Sequence, residues 1–157
     1  MQRDHYTQQR QARDGSKLRI GIVVSEFNHD ITFGMLDGAL ETLSKWKVAE
    51  KNIKVKHVPG GFELPLGCKK LMQQKLKGKK FDALIALGCI LKGETKHDEY
   101  IANAVAQGLT QLQLETGTPI AFGVLTPNTL AQAQERSRGK TNKGIEAALA
   151  SLEMALF

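Results

Sequence analysis

Long hydrophobic runs are missing from this 157-residue chain. Its longest apolar stretches are strand-sized, such as Ile20 to Val24, against the roughly 20 apolar residues that a membrane span needs. The N-terminus is polar and lacks the apolar centre of a secretory signal, so a cytoplasmic protein without a membrane partner is expected. Cysteine is scarce. Cys68 falls inside a helix-like pattern and Cys89 directly after a strand-like run, which gives neither a metal-ligand spacing nor a disulfide framework; buried, reduced thiols are expected. Aromatic residues make up only 6% of the chain, and a single one, Tyr6, falls within either basic cluster (Arg3, Arg10, Arg13 and Lys17; Lys69, Lys70, Lys75, Lys77, Lys79 and Lys80). The net charge of +6 therefore comes without a stacking platform for single strands, so no nucleic-acid partner is expected. A solvated face that attracts small anions is the better meaning of that charge. Internal repeats and low-complexity linkers are absent too.

What is present suffices for one compact domain, since 41% of the residues are apolar. Met1 to Ser16 is polar, with four Gln and no hydrophobic period, and reads as a flexible tail or an arm that orders against a neighbour; the domain is expected over residues 17–157. Four strand-like runs follow: Leu18 to Val24, Ile53 to Val58, Ala83 to Leu87 and Pro119 to Leu125. Their apolarity is read as continuous, which predicts strands covered on both faces. Between them the period lengthens to that of a helix. Met35, Ala39, Leu43 and Trp46 share one face, as do Leu64, Cys68, Leu71 and Met72, and then Ile101, Ala104, Val105, Gly108, Leu109 and Leu112. Pro127-Asn128-Thr129 offers helix-start chemistry, and Ile145, Ala148, Leu149, Leu152 and Leu156 mark a last helix. The order β-α-β-α-β-α-β-α-α, with right-handed crossovers, predicts a three-layer αβα fold around a parallel sheet whose ligands bind at the carboxyl ends of the strands.

The loops at those ends carry the chemistry. After the first strand comes Ser25-Glu26-Phe27-Asn28-His29-Asp30, which has no glycine and so lacks the phosphate loop of a flavodoxin-type flavin site. Phe27 either caps the core, the commoner case for such a residue, or stacks on a flat heterocycle. After the second strand, the two glycines of Pro59-Gly60-Gly61-Phe62-Glu63 let the backbone approach a ligand closely. Glu63 suits a helix start and suits sugar-like hydroxyls equally well. The third strand leads into Gly88-Cys89-Ile90-Leu91-Lys92-Gly93-Glu94-Thr95-Lys96-His97. This nearly spells a P-loop, but Glu94 stands where the phosphate-binding Lys must be, which excludes nucleoside triphosphates. An anion site remains at the N–H groups of Gly93 to Thr95, the Thr95 hydroxyl and a helix start. His97 sits in the first turn beside it. With an anion site in the same turn, a proton-transfer role is expected rather than an idle surface histidine. A last basic loop, Glu135 to Gly144, becomes interesting only if it meets the phosphate site of another subunit.

Taken together, Phe27-Asn28, V-P-G-G-F-E-L-P at Val58 to Pro65, L-G-C-I-L-K-G-E-T-K-H at Leu87 to His97, F-G-V-L-T at Phe122 to Thr126 and N-K-G-I-E-A-A at Asn142 to Ala148 resemble the lumazine synthase family over about nine tenths of the chain. The resemblance implies a four-stranded flavodoxin-like sheet, with the N-terminal arm adding to a neighbouring subunit. It also implies a transferase of riboflavin biosynthesis that joins 5-amino-6-ribitylaminouracil to 3,4-dihydroxy-2-butanone 4-phosphate, giving 6,7-dimethyl-8-ribityllumazine without metal or cofactor. On that resemblance Phe27 and Asn28 meet the pyrimidine, and Gly61, Phe62 and Glu63 hold the ribityl chain. Cys89, Ile90 and Leu91 line the ring pocket, Gly93, Glu94 and Thr95 bind phosphate, and His97 shuttles protons. Phe122, Lys143 and an arginine come from the adjacent subunit of a homopentamer, or of a hollow icosahedral shell built from pentamers.

The sequence departs from the family pattern at three places. Gly61 stands where Ala is common, Asp98 stands where an aromatic is common, and the loop before Asn142 is about one residue short. The short loop makes either Arg136 or Arg138 the phosphate arginine; alignment of the Glu135-Arg136 pair selects Arg136. It also lacks the longer insertions of some non-shell relatives. Two other readings remain: an archaeal-type riboflavin synthase, which suits these loops less well, and a noncatalytic flavin- or lumazine-binding shell protein, for which Asp98 is the main support.

Overall fold

The computed structural model describes residues 10–157. Four strands, β1 (Ile20–Ser25), β2 (Ile53–Val58), β3 (Ala83–Cys89) and β4 (Ile120–Leu125), form one sheet in the order β2-β1-β3-β4, all parallel. Five helices connect and cover them: α1 (His29–Lys45), α2 (Leu64–Gln73), α3 (His97–Thr116), α4 (Leu130–Glu135) and α5 (Lys143–Ala155). The predicted alternation is the observed one, and the three layers and strand order are those of a flavodoxin-like fold.

Side chains that alternate along each strand feed two cores. Ile20, Ile22, Val24, Ile85 and Leu87 pack under Met35 and Leu43 of α1 and Ala148 and Leu152 of α5. Val23, Leu84 and Ala86 face the other way, against Leu64 and Leu71 of α2 and Val105 and Leu109 of α3. Each fully buried aliphatic side chain contributes about 1.5–3 kcal/mol of transfer free energy, so this double layer is the main source of stability.

Two sequence expectations need correction. Strand β2 is not covered on both faces: Lys56 and His57 are exposed and the rest is half-buried. Its sequence, Ile53-Lys54-Val55-Lys56-His57-Val58, alternates as an edge strand does, and β2 is an edge of the sheet. Ala104 is exposed, because the buried stripe of α3 runs through Val105, Leu109 and Leu112 and passes it by. Residues 1–9 of the expected arm lie outside the described residues. From Arg10 onward the chain touches the domain. Arg10 and Arg13 reach Glu153 at 3.2 and 3.8 Å, and the Gly15 N–H donates to Trp46 O at 2.8 Å. Both cysteines are free and buried, as expected. No helix among the described residues is long and apolar enough to cross a membrane.

Where α5 starts, the packing is tight enough to select residues. A Cβ on Gly144 would collide with the Met35 carbonyl of α1, so only glycine fits. Asn142 caps the helix, its Oδ1 accepting from Gly144 N–H at 2.8 Å. Its amide donates to Gly34 O and Ser137 O, both at 2.9 Å, which ties the basic loop to α1.

Candidate active site

The carboxyl ends of β1, β2 and β3 bring the first group of expected residues together. At the β1 end, Glu26 and Phe27 continue the pairing by donating to Val58 O and Pro59 O at 2.9 Å each. The chain then turns sharply at Asn28, which takes the left-handed conformation that Asn tolerates better than most residues (φ 58°). Its side-chain amide donates to Cys89 O at 3.0 Å and so links β1 to β3 at the point where the strand order reverses, the customary ligand crevice of such sheets.

Phe27 does not cap the core. Its ring is 67% exposed and lies directly over Gly60, where a Cβ would come within 2.6 Å of it. A flat apolar face is thereby presented beside the Glu63 carboxylate. The Glu63 Oε2 accepts from Gly60 N–H at 3.0 Å, so its helix-start role is real. The Oε1 has no partner among the described residues and remains available to a ligand hydroxyl. Gly61 faces Ile90, and Phe62 is 61% exposed. Cys89 and Ile90 are buried and Leu91 is half-buried. Burial pushes the Cys89 thiol up to about 11, so it is protonated at neutral pH and serves as wall rather than nucleophile.

The loop into α3 is partly self-satisfied. Gly93 N–H donates to Asp98 Oδ1 at 3.3 Å, and His97 N–H to Thr95 Oγ1 at 3.3 Å. The exposed N–H groups of Glu94 and Thr95 have no partner among the described residues, so they are free to meet solvent or a ligand. The imidazole of His97 is exposed at the first residue of α3.

A second group gathers elsewhere. Phe122, at 41% exposure, lines a cavity of about 470 Å³ with Thr126, Gln132, Arg136 and Lys143. Glu146 organises the two cations, accepting from Arg136 Nη2 at 3.2 Å and Lys143 Nζ at 2.7 Å. Arg138 faces away, into a larger groove of about 740 Å³ between α1 and the basic loop that contains none of the expected site residues. The fold thus brings Arg136, and not Arg138, beside Phe122 and Lys143. The cavity of this second group is lined by none of the first group, although β4 pairs with β3 and the Ile90 N–H donates to Leu125 O at 2.8 Å. Glu146 and Gly60 were not singled out as site residues from sequence. Glu146 had a legible signal, an acid three residues beyond Lys143 on one helix, whereas the role of Gly60 under Phe27 depends on the pairing of two loops. Among the described residues, no group of His, Cys, Asp and Glu is arranged to hold a metal ion.

A family model described as 6,7-dimethyl-8-ribityllumazine synthase matches residues 17–157. A curated protein of Porphyromonas gingivalis bearing that same name is 48% identical over 142 residues, which span 90% of this chain and 86% of the relative. A second, from Parabacteroides distasonis and again so named, is 45% identical over 145 residues, spanning 92% and 88% of the two chains.

Proposed function

The chain belongs to the 6,7-dimethyl-8-ribityllumazine synthase family, and we propose that it condenses 5-amino-6-ribitylaminouracil with 3,4-dihydroxy-2-butanone 4-phosphate in riboflavin biosynthesis. The uracil amine adds to the ketone and loses water to give an imine, inorganic phosphate is eliminated, and the ribityl-bearing nitrogen closes the second ring with loss of another water. No cofactor is needed for these steps. The observation that carries the proposal is the pairing of an exposed Phe27 face and the Glu63 oxygen with two unpartnered N–H groups at Glu94 and Thr95. A flat heterocycle with a polyol chain fits the first pair, and a phosphate fits the second.

Within this proposal Asn28 fixes the crevice, Gly61, Phe62 and Glu63 hold the ribityl chain, and the backbone of Cys89, Ile90 and Leu91 lines the ring pocket. Gly93, Glu94 and Thr95 receive the phosphate, and His97 moves protons in each addition and dehydration. Holding the two reactants in register supplies a large part of the acceleration, with the phosphate contributing binding energy remote from the reacting bonds. Phe122, Arg136 and Lys143 complete the site from an adjacent subunit, which requires a homo-oligomer. A ring of five, or a shell of such rings, satisfies that requirement. The unpaired edge of β2 offers a place for a neighbour's N-terminal arm. A cytoplasmic location accords with two free, buried thiols.

One observation favours a second reading, a noncatalytic lumazine- or flavin-binding protein on the same fold: the Asp98 carboxylate already occupies the Gly93 N–H. Mixing purified protein with both substrates and following the fluorescent lumazine separates the two readings, with an enzyme-free control for the spontaneous condensation. Acceleration with stoichiometric phosphate release is expected. Binding of the pyrimidine with no acceleration would establish the noncatalytic protein.

A further inference from the structure

We infer that the end of the molecule remote from the active site carries a docking surface for another protein, fitted to an acidic peptide segment with an apolar anchor. Where β1 and β3 begin, the last turns of α2 and α3 and the segment joining α2 to β3 enclose a cavity of about 360 Å³. Its floor is apolar, with Phe81 and Leu112 buried and Met72 half-buried. Lys69, Lys75 and Lys80 form its rim.

Positive charge is in excess around this cavity. Lys70, Lys77 and Lys79 stand beside the rim lysines in sequence, and all six are exposed. The Leu76 and Lys79 backbones exchange hydrogen bonds at 2.9 and 3.1 Å around Lys77 and Gly78, both at positive φ, so a tight turn presents the lysines on a fixed support. Among the described residues no salt bridge engages any of the six. One acid, Glu115, lines the cavity and keeps its charge while accepting from the Gln111 amide at 2.7 Å, and Asp82 pairs with Arg19 at 3.1 Å, so the six lysines face a single carboxylate without an ion pair.

Lys70 complements the carboxyl end of α2, which explains one lysine and not an apolar floor inside a ring of them. A free phosphate would leave that floor uncovered. A single-stranded nucleic acid needs an exposed ring to stack on, and Phe81 is buried. A large aliphatic or aromatic side chain flanked by Asp and Glu meets both requirements, with the lysine stems folding over the anchor and their ammonium groups reaching the carboxylates.

The test uses the intact assembled protein and two fluorescein-labelled peptides, DEDLFDED and DEDSSDED, followed by anisotropy at physiological ionic strength. The Leu-Phe peptide is expected to bind at least about tenfold more tightly, and a Lys75→Glu/Lys80→Glu double variant to lose that binding. Lumazine formation, which reports on the far end of the sheet, is expected to be unchanged in the variant and verifies that it folds. Equal affinity for the two peptides, no binding of either, binding that survives in the variant, or tighter binding of an RNA oligonucleotide of equal charge would each overturn the inference.

Discussion

His97 begins α3 with its imidazole in solvent and no ion pair among the described residues, so truncating it removes chemistry without disturbing packing. His97→Ala is expected to lower kcat by about tenfold to a thousandfold, a loss within reach of general acid–base catalysis, with the oligomer unchanged in size by light scattering. A wild-type rate would remove the proton-transfer role. The two candidate arginines differ in surroundings more than in sequence. Arg136 shares a cavity with Phe122 and Lys143, and Glu146 still holds Lys143 when it is removed. Loss of one charge-assisted contact to phosphate is worth about 1.5–3 kcal/mol. Arg136→Ala should therefore raise KM for the keto-phosphate by about tenfold to a hundredfold, whereas Arg138→Ala should leave it alone; steady-state kinetics on both variants decides. The thiols give a pH dependence. Burial raises Cys89 to about 11 and Cys68 to about 12, so the reactive thiolate is scarce at neutral pH and grows only as pH approaches those values. Native protein should resist iodoacetamide at pH 7 and label at Cys89 before Cys68 as pH is raised, read by mass spectrometry; rapid labelling at neutral pH would contradict the burial.

At the scale of elements, periodicity carried most of the fold. The four strands were legible as apolar runs and α1, α2, α3 and α5 from helical spacing, whereas α4 was announced only by the start signal Pro127-Asn128-Thr129. The misjudgement of β2 has a physical origin: a run of Ile, Val and Lys was read as continuous when its lysines mark a solvent-facing edge. The loops were legible as chemistry but not as geometry. Sequence left Phe27 open between core cap and stacking face, and its placement over Gly60 comes from two loops pairing across strand ends. The choice between Arg136 and Arg138 likewise turns on how Asn142 anchors the loop to α1. That anchor yields a prediction of its own. Asn142 is buried and joins Gly144, Gly34 and Ser137 by three hydrogen bonds, so Asn142→Ala leaves a helix start uncapped and the Ser137 carbonyl unpaired. A loss of about 2–3 kcal/mol in chemical denaturation is expected, together with weaker phosphate binding as the loop carrying Arg136 loosens. Unaltered stability would mean that the loop is held by other contacts.

For the whole molecule, the decisive feature is that the expected site residues form two groups on one protomer, with the cavity of Phe122, Arg136 and Lys143 holding none of the residues gathered around Phe27 and His97. If each working site joins the first group of one subunit to the second group of its neighbour, two differently damaged subunits must be able to repair one another. His97→Ala and Arg136→Ala subunits each form only defective sites alone. When equal amounts are unfolded, mixed and refolded together, a site is intact wherever His97 comes from an Arg136→Ala subunit and Arg136 from a His97→Ala neighbour. Random assembly around a ring gives that arrangement at about a quarter of the sites. With the keto-phosphate held well below the wild-type KM, where both variants are slow, lumazine formation by the mixture should therefore climb well above the mean of the two separate variants, towards about a quarter of the wild-type rate. If the mixture shows only that mean while native mass spectrometry finds both subunits in the same oligomer, the site is completed within one subunit and the shared-site arrangement falls.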